Sequence, residues 1–361
     1  MARSSSGVCR HCYRRVSSQA RCRQTDRPAG ACPYARPVLV HFRLTTPTDL
    51  TQQVVDLLLP HDWVTNVTLD RGVSLRPQGD VVEFDVAREK AGATMDDLRR
   101  IGLESCGGIV LTTPTGTPFD AAGRIEAAAP GHPDDAVIWD AVEEQAEAGA
   151  VPTVSYLVFM VIAVALGSIA VITDSAVLVV GAMVVGPEFS AVVAASAGVA
   201  LRRPSLFVRG LQLLLYSFAF AILVVALLAL VGRVIGLVET DDVLRPRPNT
   251  GFIWHPDAWS VIVALLAGAA GAMALAVSKA ATMVGVFISV TTVPAAGNLA
   301  LGLALWQRSE ILGSAAQLGI NIGCMVLAGA LVLVLMRVGW TRVTTWSERL
   351  FGRQSDLGGA R

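Results

Sequence analysis

The stretch "VVGAMVVGPEFSAVVAASAGVAL" (179–201) is apolar or small throughout, with one carboxylate, Glu188, directly after Gly186-Pro187. An ionised group at the centre of a bilayer costs about 2.5–3.5 kcal/mol on insertion scales. A run of about 20 apolar residues is what crosses the hydrocarbon. Proline removes an N–H and clashes with the preceding turn, and the groups it frees need partners away from lipid. The stretch therefore reads as a membrane span interrupted at Gly186 and Pro187. Glu188 sits about thirteen residues, or roughly 20 Å, into that span. Two arrangements avoid the cost: a protonated carboxyl, or a polar cavity furnished by freed backbone N–H groups with Ser190, Thr291, Thr292 or Asn298. A plainer reading makes Glu188 a cap on the second half-helix, since carboxylates suit helix N-termini.

Working outward, the whole chain has 53% hydrophobic and 16% charged residues with a mean hydropathy of +0.55, against roughly 25% charged in soluble domains. The lipid bilayer is the implied environment. Formal net charge is zero, so nothing points to a nucleic-acid partner. Six stretches are long and apolar enough to span: 154–173, 175–201, 211–232, 258–278, 280–307 and 311–336. Glu188 is the one charged residue within them. The Arg and Lys bias puts Arg202, Arg203, Arg209, Lys279, Arg337, Arg342, Arg349 and Arg353 on one side, read as cytoplasmic. That makes a multi-pass protein of the cell membrane with both termini inside and 237–257 outside.

Spans 2 and 5 share a design. Each is long, rich in small residues and interrupted, by Pro187 and by Pro294, with Gly186 and Gly297 beside the breaks. Laying spans 1–3 on spans 4–6 gives two repeats of three helices, the second inverted. Paired broken helices in inverted repeats are the architecture of many secondary transporters. The polar groups at the breaks, Glu188 and Ser190, then Thr291, Thr292 and Asn298, are the candidate solute or ion ligands.

The part before the spans has soluble composition. "VLVHFRL" (38–44), "WVTNVTL" (63–69), "VVEFDVA" (81–87) and "GIVLTT" (108–113) read as strands. Residues 48–59 and 94–105 read as helices, capped by Thr48 and Thr94. The order β-α-β-β-α-β is the ferredoxin-like pattern. The expected organisation is a disordered basic tail (1–36), a ferredoxin-like α+β domain (37–113), a linker and amphipathic helix (114–150), a six-span α-helical membrane domain (151–340) and a cytoplasmic tail (341–361). The tail holds eight Arg and one Asp; its Cys9, His11, Cys12, Cys22 and Cys32 have zinc-knuckle spacing but no apolar residues around them to form a core. No metal, cofactor or catalytic residue is assigned. HExxH, GxSxG and the phosphate-binding loop are all missing, which argues against an enzyme.

Residues 155–203, with the "TDS" hinge (173–175), "GAMVVGP" (181–187) and the small-residue helix after it, resemble a bacterial membrane-protein family. It is the uncharacterized hydrophobic domain family, domain of unknown function 389. "GPEF" (186–189) resembles one branch; a second proline usual soon after is replaced here by Ala191 and Val192. The resemblance spans roughly 134–336 and implies the same layout, without any chemistry. The expected function is an integral membrane transporter or permease for a small solute or ion, proton- or cation-coupled, with a homo-oligomer as an open possibility. The alternative is a non-transporting membrane sensor or scaffold whose soluble domain binds a ligand or partner.

Overall fold

The computed structural model describes residues 39–114, 116, 117, 119, 122, 124, 125, 137–239, 245–277 and 291–351, with 340–351 by backbone alone. The basic tail with its cysteines, most of the linker, and residues 280–290 of the expected fifth span lie outside the described residues.

The first unit runs β1 (Leu39–Thr46), α1 (Thr51–Leu58), β2 (Val64–Leu75), β3 (Gln78–Ala87), α2 (Ala91–Arg100) and β4 (Gly108–Thr112). The sheet is antiparallel with order β2-β3-β1-β4. Its register follows from alternation. Val40, Phe42 and Leu44 face the helices with Val82, Phe84 and Val86, and meet Val54, Leu58 and Leu98 there. Phe42 and Phe84 stack at 5.1 Å. The other face is polar: His41 bonds Asp85 at 2.8 Å, and Arg43 pairs with Glu83 at 3.4 Å. A sheet with one wet face gives this in-and-out pattern.

Two capping expectations are corrected. Leu50, not Thr48, precedes α1. Thr94 lies inside α2, its hydroxyl donating to Lys90 O at 3.0 Å. The expected helix 94–105 is also interrupted. Gly102 adopts φ 78°, a conformation open to glycine at little steric cost, and separates α2 from a single turn at Leu103–Cys106.

Then come α3 (Trp139–Gly149), α4 (Val154–Ile172), α5 (Ala176–Val185), α6 (Glu188–Ala200), α7 (Pro204–Val234), α8 (Ala258–Ala276), α9 (Thr292–Leu305) and α10 (Arg308–Phe351). Their starts obey side-chain chemistry. Thr153 accepts from the N–H of Tyr156, Ser175 from Leu178 and Asp257 from Ser260, each satisfying an otherwise unpaired donor. The "TDS" hinge is thus an end, a turn and a start. Thr173 closes α4, Asp174 takes φ 48°, and Ser175 opens α5.

Among the described residues, four helices, α4, α7, α8 and the part of α10 up to Gly339, are long and apolar enough to cross a membrane. The count is five if the bent pair α5–α6 is one span. In the four long helices only 33–44% of the apolar window is buried. The remaining faces carry exposed apolar residues such as Phe159, Leu223, Leu266 and Leu327. Apolar side chains facing away from protein over most of a helix are what lipid covers, so this is a membrane protein. The described part of the expected fifth span is α9, only 14 residues long; the rest of that span is outside the described residues. α10 runs on through Phe351, into the stretch read as a tail. α7 and α10 are longer than the spans read from apolar runs, so Arg209, Arg233 and Glu310 are helical rather than loop residues.

Packing between the helices uses small residues. A Cβ on Gly297 would lie 2.6 Å from Ser168 N and 2.7 Å from Gly167 C, so α9 and α4 touch backbone to backbone. The Ser168 hydroxyl donates across that seam to Gly297 O at 2.9 Å. Small residues that admit such approach, with interhelical hydrogen bonds worth roughly 0.6–2 kcal/mol, drive association where water does not. α3 joins the two parts of the chain. Ile138 before it lies in the sheet's core, Val142 among the apolar helices, and Ala146 beside Ala194 and Ala197.

Candidate functional site

The break read from Gly186-Pro187 lies between α5 and α6, whose axes bend by 55°. Gly186 is extended (φ −66°, ψ 128°) and Pro187 is the residue before α6. Glu188 is therefore the first residue of α6, where the helix dipole favours a negative charge. It is 8% exposed. Its Oε1 accepts a hydrogen bond from Thr292 Oγ1 at 2.9 Å. Its Oε2 is buried with no hydrogen-bond partner among the described residues. Leaving a buried acceptor unpaired costs about 1–3 kcal/mol, more when it is charged. The oxygen is pressed against Gly186, where any Cβ would collide with it, and Val293 closes the same space. The Tyr156 hydroxyl is buried nearby, facing Ser217 and in electrostatic range of Glu188.

The second proline segment is the neighbour of the first, through Thr292 and Val293. Pro294 stands in the first turn of α9, where a missing N–H is no loss. Gly297 faces α4, as above. The four polar candidates beside Glu188 divide. Ser190 turns away: its hydroxyl reaches Pro187 O at 3.0 Å and Gly149 O at 3.5 Å, toward the end of α3. Thr292 holds Glu188. Thr291 looks to α10 instead, its hydroxyl accepting from Gln317 Nε2 at 3.3 Å and Asn321 Nδ2 at 3.1 Å. Asn298 is fully buried one and a half turns on. Its Oδ1 accepts from Arg247 Nη1 at 2.9 Å, and its Nδ2 donates to Glu310 Oε2 at 2.7 Å and Ser314 Oγ at 2.8 Å.

Five of these partners escape a reading of apolar runs. Glu310, Ser314, Gln317 and Asn321 recur along α10 at spacings of four, three and four, which is one helix face. All four are at most 3% exposed. The periodicity was available in "EILGSAAQLGIN" (310–321), but no charge drew attention to it beyond Glu310, which counts as a loop residue if the span starts at 311. Arg247 has no sequence signal at all. It belongs to the irregular segment before Gly251, and its guanidinium inserts between α9 and α10 to pair with Glu310 at 2.7 Å, the two side chains 3% and 4% exposed. Gln317 Oε1 is buried without a partner among the described residues.

That segment is fastened at the "TDS" hinge. The Asp174 carboxylate accepts from Thr250 Oγ1 at 2.8 Å and from Asn249 N and Nδ2 at 3.2 and 3.1 Å. Desolvation raises its pKa, but these hydrogen bonds outweigh it and hold the carboxyl below its ordinary value. Arg245 adds a bond to Ile172 O. Asp174 thus binds the loop end of the bundle and is not a partner of Glu188.

The result is a buried polar column. It starts at the Arg247–Glu310 pair, continues through Asn298 and Ser314 to Gln317, Asn321 and Thr291, and passes by Thr292 to Glu188 at the break. Within apolar helices, such a column offers hydrogen-bond donors and acceptors where lipid offers none. No curated protein and no solved structure matches the chain. Residues 183–327, the segment that contains every member of this column, match the family model described as Domain of unknown function (DUF389).

Proposed function

We propose that this chain is a multi-pass transporter or permease of the cell membrane for a small solute or ion, coupled to protons or cations through Glu188, and not an enzyme. The observation that carries the reading is the half-satisfied Glu188 carboxylate: buried at a helix break, held on one oxygen by a residue of the other proline segment, and unpartnered on the second. Intramembrane carboxylates in transporters mark proton and ion pathways, and breaks in paired helices mark their binding sites. The helix neighbours fit two inverted three-helix repeats. The contact α4–α7 matches α8–α10, α6–α7 matches α9–α10, and α6–α10 matches α9–α7. On this reading the stretch 280–307 is the fifth span, the spans number six, both termini are cytoplasmic, and the amino-terminal sheet is ferredoxin-like.

The test is flux in proteoliposomes across a panel of ions and small metabolites at several pH values. Glu188→Gln should leave the protein folded and remove pH-dependent or cation-driven flux. A Gln variant with unchanged flux and pH profile would reduce Glu188 to a helix-terminal charge. A second reading, a membrane sensor, has its own support in α3. Arg99 of the soluble unit pairs with Asp140, and Arg203 at the end of α6 pairs with Glu143 and with Glu147 at 3.0 Å. A cleft of about 490 Å³ between β4 and α3, lined by Arg99, Glu104, Ile109 and Asp140, lies on that route. No flux from any panel member, with a ligand bound tightly by the full chain and lost on Arg99→Ala, would favour it.

A further inference from the structure

The geometry points to a solute path along the polar face of α10, closed at the loop end by Arg247. We propose that Ser314, Gln317 and Asn321 line a route for a small uncharged or cationic hydrophilic solute toward Glu188, and that the Arg247–Asn298–Glu310 cluster is its gate. This rests on the transport reading above, but its test does not need flux.

Three observations converge on the route. Ser314, Gln317 and Asn321 on α10 are opposed by Asn298 on α9 and by Thr291, the residue before α9. This α10 face includes Gln317, 1% exposed, whose Oε1 is aimed at no donor among the described residues. Polar side chains also join helices inside a membrane, but a contact made for packing alone would not leave the Gln317 oxygen without a donor. The groups are amides and hydroxyls, which suit a solute that accepts and donates hydrogen bonds. The guanidinium at the mouth is neutralised by Glu310, and the column's only other charge is the Glu188 carboxyl. An anion would therefore meet no uncompensated cation among the described side chains of the column.

The gate follows from the physics of buried ion pairs. Arg247 reaches the helices from an irregular segment, and one nitrogen holds Asn298 while another holds Glu310. Taking both charges out of water costs nearly what their attraction returns. When the segment swings out, water solvates the separated charges and offsets the broken bonds, so closed and open arrangements stay close in free energy. A hydrophobic plug of the same volume would lose that compensation. The Asp174 carboxylate, on Asn249 and Thr250, supplies the hinge on which the segment is held.

Cysteine accessibility in nanodiscs tests this, because a charged methanethiosulfonate reagent reaches both faces and orientation is immaterial. In a chain freed of its own cysteines, Gln317→Cys and Ser314→Cys should react slowly, and Leu327→Cys should not react. The double variant Arg247→Gln with Glu310→Gln leaves no orphan charge. It should speed labelling of Gln317→Cys by about tenfold or more, equivalent to ~1.4 kcal/mol removed from closure, and leave Leu327→Cys inert. Arg247→Lys, which cannot hold both partners in the same fork, should give an intermediate rate. Rates for Gln317→Cys unchanged in both variants would overturn the gate. Equal labelling of Gln317→Cys and Leu327→Cys would overturn the path. Neither outcome bears on Glu188→Gln, so failure here and failure of the transport reading are separable.

Discussion

Among the described residues, two carboxylates are buried in the helical part of this protein, and they are treated oppositely. Glu310 is 3% exposed and both its oxygens are taken, one by Arg247 and one by Asn298. Glu188 is 8% exposed, has one hydroxyl partner and one oxygen with none among the described residues. A carboxylate with a guanidinium and an amide on it is settled as an ion, and serves to hold elements together. A carboxylate with one neutral donor is unsettled in that state, so a proton or cation is the natural completion of its site. Burial alone does not identify a functional acid; the census of its partners does.

The most damaging way to probe the comparison is to strip one partner from the settled carboxylate. Arg247→Ala should destabilise the protein by about 3–5 kcal/mol, because Glu310 then keeps a buried, uncompensated charge. Thermal unfolding in detergent should show the loss, and Arg247→Met with Glu310→Leu should recover most of it. A single variant as stable as the parent would mean that the pair is hydrated. Next in size is the close approach that brings the two proline segments together. Gly297→Ala would place a Cβ within 2.9 Å of three backbone atoms of α4, and overpacking of this kind costs about 1–3 kcal/mol. Gly181→Ala, with nothing within 4 Å, is the matched control and should change little.

The unsettled carboxylate should respond more mildly. Glu188→Gln is expected to alter unfolding by less than about 1 kcal/mol, since it removes the charge but keeps an acceptor for Thr292. A loss as large as that of Arg247→Ala would make Glu188 a structural ion like Glu310. The smallest effect concerns Asp174 at the hinge. Hydrogen bonds lower its folded pKa despite desolvation. The stability it contributes is therefore present above its unfolded pKa of about 3.9 and lost as pH falls through the lower folded value. The parent should lose stability on acidification below about pH 4 more steeply than Asp174→Asn does. Identical profiles would show that the loop clamp is already open.

How much of this was legible in advance differs by region. In the soluble unit, alternation located the four strands and an apolar stripe at helical spacing the first helix, because a half-buried sheet and a half-buried helix each write their period into the sequence. Element ends were less legible: Thr48 and Thr94 look like caps, yet the first helix starts later, after Leu50, and the second earlier, after Lys90. In the membrane part, the break at Gly186-Pro187 was readable because proline acts locally. Pro294 looked equivalent, yet it opens the first turn of α9 rather than following a described half-helix.

The sequence by itself determined that the chain has apolar, membrane-crossing helices, that one is broken, and that a carboxylate stands at the break. Composition, run length and the missing proline N–H are local properties and need no partner to act. Only the tertiary structure decided which polar groups meet. Thr292 reaches Glu188 across 104 residues, and Arg247 reaches Glu310 across 63. A hydrogen bond depends on the direction and distance of two side chains, and those are set by how the helices pack. Adjacent Thr291 and Thr292 face different helices for the same reason: the chain enters α9 between them, with Thr291 still outside the helix and Thr292 its first residue.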